Sequence, residues 1–195
     1  MHNVRACDLD GRPSLILRSA VYLWIQRCPV CGYCAPDITQ GQQDDHIVLD
    51  GEPYRMQLGN TSYPQTANAF LCHGLVMEKR GQYAGTAWSA LFAAWICDDN
   101  GFPEAARICR RRAIEFFMRA KESGQSFARS RGLEQLYMID ITRRLGEFEA
   151  AARICESAIA KESDEELLTL LRFETDLIDE RDTMGHAVSE ILDGF

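Results

Sequence analysis

Gly101-Phe-Pro-Glu-Ala-Ala-Arg-Ile-Cys109 recurs, with one residue inserted, as Gly146-Glu-Phe-Glu-Ala-Ala-Ala-Arg-Ile-Cys155. A fainter copy reads Gly81-Gln-Tyr-Ala-Gly-Thr-Ala-Trp88. Each begins with a glycine able to close a turn, follows with an aromatic, and continues with small residues at helical spacing. That is the logic of a helix-turn-helix unit: the aromatic plugs the gap between helices, and alanine lets neighbouring helices approach closely. The two clear copies lie further apart than the usual tetratricopeptide (TPR) period of about 34 residues, so the repeats are degenerate.

Around these copies the apolar residues keep a helical period from Pro64 onward. Ala84, Trp88, Leu91, Phe92, Trp95 and Ile96 fall on one face, the spacing of a buried stripe. Further stripes are Phe70/Leu71/Leu75, Ile108/Ala113/Phe116/Phe117, Leu133/Leu136/Tyr137/Ile141/Leu145, Phe148/Ala152/Cys155/Ile159 and Leu167/Leu168/Leu171/Ile178. Short breaks at Gly81, Gly101, Gly124, Gly146 and Asp164 separate about six helices. The reading is a mainly α chain of TPR-like antiparallel hairpins over residues 64–195. Trp88, Phe92, Trp95 and Tyr137 are expected in its core, some of them lining a concave face open to a peptide or protein partner.

Residues 1–63 read differently, with Gly, Pro, Asp and Gln clusters between short apolar runs. A strand is expected over residues 21–25, rich in β-branched and aromatic side chains. Residues 37–63 read as irregular, with a short strand at residues 46–49. The strongest local signal is Cys28-Pro-Val-Cys31-Gly-Tyr-Cys34. In a Cys-Pro-x-Cys-Gly turn two thiolates face one centre while backbone N–H groups donate to sulfur, and Gly32 supplies the positive φ. Soft sulfur ligands select zinc over hard cations. A structural site takes four ligands; Cys34 and Cys7 are the candidates to join Cys28 and Cys31. His2 and the Cys72-His73 pair stand behind them. Two other readings stay open, a knuckle turn held by packing without metal and a redox-active Cys-x-x-Cys.

At these residues the chain resembles a prokaryotic family of unknown function that joins a C-P-x-C-G-Y zinc-ribbon-like segment to TPR-like helices. Asp8-Leu-Asp-Gly-Arg-Pro13, Leu23 through Ala35 and Tyr83–Asp99 carry the resemblance. Members usually hold a second Cys-x-x-Cys upstream, where this chain has only Cys7. The resemblance implies a structural metal and no known reaction.

The remaining signals bound function. A formal charge of −8 argues against phosphate backbones and anionic lipid, and the basic run Arg107-Ile-Cys-Arg-Arg-Arg112 reads as a solvated helix face. No stretch reaches the roughly 20 apolar residues of a membrane span. No apolar signal-peptide core opens the chain, and Cys72, Cys97, Cys109 and Cys155 sit in helical patterns, which fits a reducing cytoplasm. No phosphate loop, H-E-x-x-H, G-x-S-x-G or G-x-G-x-x-G is present. Asp8-Leu-Asp-Gly and Asp98-Asp-Asn-Gly read as turns or helix ends, Asp140 is expected to pair with Arg143 or Arg144, and Asp164-Glu-Glu166 suits a helix N-terminus. The sequence reads as a non-enzymatic adaptor with a metal knuckle. A thiol-redox or metal-dependent enzyme built on Cys28, Cys31 and Cys34, and a zinc-knuckle nucleic-acid binder, are the alternatives.

Overall fold

The computed structural model describes residues 7–14 and 17–192. The chain is mainly helical, 65% helix with 4% strand, and it forms two compact units, Ser19–Phe127 and Met1–Arg18 with Ala128–Phe195. His2 and the Leu15-Ile16 pair fall outside the described residues. No helix among the described residues is long and apolar enough to cross a membrane.

The unit Ser19–Phe127 contains strands β1 (Gln26–Arg27) and β2 (Cys34–Ala35), then helices α1 (Asp45–Leu49), α2 (Glu52–Leu58), α3 (Gln65–Lys79), α4 (Tyr83–Asp99) and α5 (Pro103–Glu122). The strands are antiparallel, with Gln26 opposite Ala35 and Arg27 opposite Cys34. The strand expected over residues 21–25 is not formed: a 3-10 helix covers Arg18–Leu23 and extended pairing begins only at Gln26. Propensity yields to partner supply, because the returning chain offers a pairing edge of only two residues. Val21 is turned inward by that winding, and Trp24 meets Phe92 edge-on at 5.3 Å. The expected strand at residues 46–49 is likewise corrected to α1. The Asp45 carboxylate accepts from Gln42 N–H at 2.8 Å and holds Arg80 of α3 at 2.6 Å, which fixes a helical turn there. Residues 37–63 are therefore largely ordered, with α2 restarting after Gly51.

Helices α3, α4 and α5 pack as successive neighbours, α3 on α4 and α4 on α5. The turn after α4 shows why glycine marks these corners. Gly101 sits at φ 74°, which lets Phe102 N–H reach back to Cys97 O at 2.9 Å, and Pro103 opens the next helix. An aromatic chain seals the hairpin, with Trp88 against Phe117 at 5.4 Å and Phe117 against Phe127 at 4.3 Å. The phase of α5 differs from expectation. Ile108 is 57% exposed, whereas Arg110 is buried and bound to Asp98 at the end of α4. The basic run is thus split rather than solvated as one face, since Arg112 pairs with Glu78 at 3.4 Å.

The other unit holds α6 (Arg131–Arg144), α7 (Phe148–Ile159), α8 (Glu165–Asp179) and α9 (Val188–Leu192). Ser130 caps α6, and Asp164 caps α8 by accepting from Leu167 N–H at 3.0 Å. Leu136, Ile139, Leu170, Leu171 and Ile178 form its core together with Leu9 from the start of the chain. Asp8-Leu-Asp-Gly is a turn, closed by Gly11 N–H on Asp8 O at 2.9 Å. Its edge pairs with the segment before α9: Leu9 N–H donates to His186 O at 3.0 Å and Val188 N–H to Cys7 O at 2.9 Å. Asp140 pairs with Arg143 at 2.5 Å, as expected.

Candidate functional site

The cysteine motif occupies the hairpin between β1 and β2. Cys28 N–H donates to Tyr33 O at 2.8 Å and Gly32 N–H to Cys28 O at 3.0 Å, so the turn closes on itself. Hydrogen bonds from the Cys31 and Val30 amides draw the Cys28 thiol below its ordinary range. Gly32 has φ 78°, and a Cβ there would lie 2.6 Å from Leu58 Cδ2. The conformation calls for glycine, and Leu58 would have to shift to admit a Cβ.

Tyr54, fully buried in α2, anchors the return limb. Its hydroxyl accepts from Cys34 N–H and donates to Gly32 O, both at 3.0 Å. Cys34 is turned inward: its Sγ donates to Gly32 O at 3.3 Å, and its thiol hydrogen-bonds that of Cys72. Donation to the Cys34 sulfur, together with burial, pushes the Cys72 thiol up. The His73 ring bonds the Cys34 backbone, its Nδ1 is buried without a partner, and burial holds it below the ordinary imidazole range.

The structure therefore brings Cys28 to Cys31 and, separately, Cys34 to Cys72. Cys7 belongs to the other unit, where burial and the carboxylates of Asp8 and Asp10 push its thiol up. Among the described residues no group of three or more His, Cys, Asp or Glu side chains is arranged to hold a metal ion. The Cys28–Cys31 pair fits a thiophilic cation as two ligands of four: amide N–H groups on sulfur are what a metal-bound thiolate accepts. Of the other described histidines, His46 Nδ1 lies beside Gln43 O at 2.5 Å and His186 Nε2 beside Asp182 at 3.0 Å.

No protein-family model, curated protein or solved structure matches this chain.

Two features escaped sequence reasoning. Tyr54 lies in a segment that reads as irregular, and nothing local marks it as the anchor of a turn some twenty residues earlier. The second is an open cleft of about 480 Å³ in the same unit, lined by the apolar Ile47, Val48, Pro53 and Leu75 and by the charged Glu78, Lys79 and Arg119. Arg119 is held there by Glu78 at 3.4 Å and lies over the Tyr83 ring at 4.6 Å. The cleft's lining draws on α1 and α2, the helices absent from the sequence reading.

Proposed function

We propose that this chain is a non-enzymatic adaptor in which TPR-like helical hairpins present a groove to a peptide or protein, with a structural zinc knuckle at Cys28 and Cys31 bracing one end of the groove-bearing unit. The observation that supports it best is the cleft over α1, α2 and α3. An apolar lining beside fixed charge suits an extended segment that buries one or two apolar side chains and sets a carboxylate against Lys79. The successive packing of α3, α4 and α5, cornered by Gly81 and Gly101, agrees with hairpin repeats. Zinc at the knuckle would contribute ligand-bond energy to folding and supply no chemistry to a substrate.

A photo-crosslinking residue placed at Ile47, compared with one at the exposed Met184 of the other unit, tests the groove in the producing cell. The expected result is one discrete adduct from Ile47, lost when Leu75 is replaced by Arg, and none from Met184. Adducts equal from both positions, or none from either, overturn the adaptor reading.

A second reading rests on the lowered Cys28 thiol beside an exposed Cys31, a pairing also suited to thiol–disulfide exchange. Purified protein that carries no zinc and shuttles between dithiol and disulfide forms in a glutathione buffer would favour it. Retained zinc that blocks oxidation favours the structural knuckle.

A further inference from the structure

We propose that the knuckle is half of a metal site and that a second copy of this chain supplies the other half, Cys28 and Cys31 of each copy surrounding one zinc ion. The inference rests on the metal-knuckle reading above and adds the partner to it. Three observations carry it. Cys31 is exposed, and Val30 between the two cysteines is 92% exposed, so the pair stands at the crest of its hairpin rather than in a pocket. The crest is held from behind, by Leu58 against Gly32 and by the Tyr54 hydroxyl, which fixes the direction in which the thiols are presented. The third thiol of the motif is committed elsewhere, its Sγ on Gly32 O and against Cys72, with Cys34 wholly buried.

Two thiolates offered outward on a rigid turn satisfy half of a tetrahedral zinc sphere, and a two-fold axis through the ion supplies the rest. The approach covers the Val30 side chains, which otherwise stand in water. Assembly balances as four thiols plus one Zn2+ giving one tetrathiolate zinc centre and four protons released to buffer, with no change of oxidation state. Dimerisation is thus zinc-dependent.

The test uses the full chain, reduced and stripped with a chelator, then titrated with Zn2+ alone and followed by sedimentation. A monomer of 22.1 kDa is expected to convert to a dimer with an end point of one zinc per two chains. Cobalt(II) in place of zinc is expected to give the visible absorption of a tetrahedral four-thiolate centre. Cys28→Ser and Cys31→Ser should abolish both signals, whereas Cys34→Ser keeps them. Val30→Arg, which leaves every ligand in place, should weaken zinc-dependent dimerisation at least ten-fold without altering the circular dichroism of the monomer; it keeps the proposal falsifiable if the serine variants fail to fold. A monomer that binds one zinc per chain overturns the shared site while leaving the structural knuckle standing. Failure to bind zinc or cobalt at all overturns the knuckle reading itself.

Discussion

Arg143 Nε donates to Glu174 Oε2 at 2.9 Å with neither side chain reached by solvent. The same guanidinium holds Asp140 at 2.5 Å and the carbonyls of Asp182 and Met184 at 2.7 and 3.0 Å. One cation thus ties α6 and α8 to the turn that follows α8. Removing it leaves two carboxyl groups buried without a counter-charge, a loss of about 3–5 kcal/mol. Arg143→Met is expected to melt the unit formed with Ala128–Phe195 at much lower temperature, read by differential scanning calorimetry. A change within about 1 kcal/mol would show the network to be dispensable.

The buried acids set a pH dependence. Burial, reinforced by the neighbouring Asp140, holds Glu174 well above its ordinary 4.5. Burial next to Asp10 likewise raises Asp8 from 3.8 to about 6, against the pull of Arg18. Both groups bind a proton more tightly folded than unfolded, so their contribution is complete below about pH 4 and is lost as pH rises through the folded values. For Asp8 the loss accrues between 3.8 and about 6, roughly 3 kcal/mol at most. Asp8→Asn and Glu174→Gln should each flatten urea-melt stability between pH 4 and 7. Variants whose stability falls across that interval as steeply as that of the wild type would refute the assignment.

Tyr54 should matter to the knuckle without touching a sulfur of the Cys28–Cys31 pair. Tyr54→Phe removes the hydroxyl bonded to Cys34 N–H and Gly32 O; Gly32 O keeps the Cys34 thiol, while Cys34 N–H is left buried and unpaired at about 1–3 kcal/mol before water enters. The expected outcome is faster zinc release to a chromogenic chelator with the helical dichroism preserved. Unchanged release would mean that the turn holds its own shape.

Thiol reactivity separates the cysteines. Cys28 and Cys31, one drawn toward thiolate and the other exposed, should alkylate at least ten-fold faster than Cys34, Cys72, Cys97, Cys109 and Cys155, all buried. Added zinc should protect the fast pair. Peptide mapping after brief iodoacetamide treatment reads this directly, and equal rates across the seven would contradict the described burial.

What the sequence made legible was whatever is decided locally. Gly101 and Gly146 announce their corners because a positive φ is needed there and nothing else nearby supplies it. The cysteine turn is likewise visible, because its hydrogen bonds span only a few residues. Phase and partnership were less legible. In α5, Ile108 outranks Arg110 on any hydropathy scale, yet Asp98 draws Arg110 inward and rotates the buried face. Residues 46–49 carry β-branched side chains, but the ion pair of Asp45 with Arg80 of α3 sets the turn. The placement of Cys34 depends on Tyr54 and Cys72, both remote in the chain, which no local pattern announces.

The pairing of Leu9 with His186 and of Cys7 with Val188 orders events in the making of the protein. Cys7 leaves the ribosome well before Val188, so its edge must wait for a segment made long after it. Ser19–Phe127 meanwhile has all its own residues in hand and folds as an insertion while its host is still incomplete. Nascent chains stalled before residue 186 would therefore carry a finished groove and an exposed Leu9.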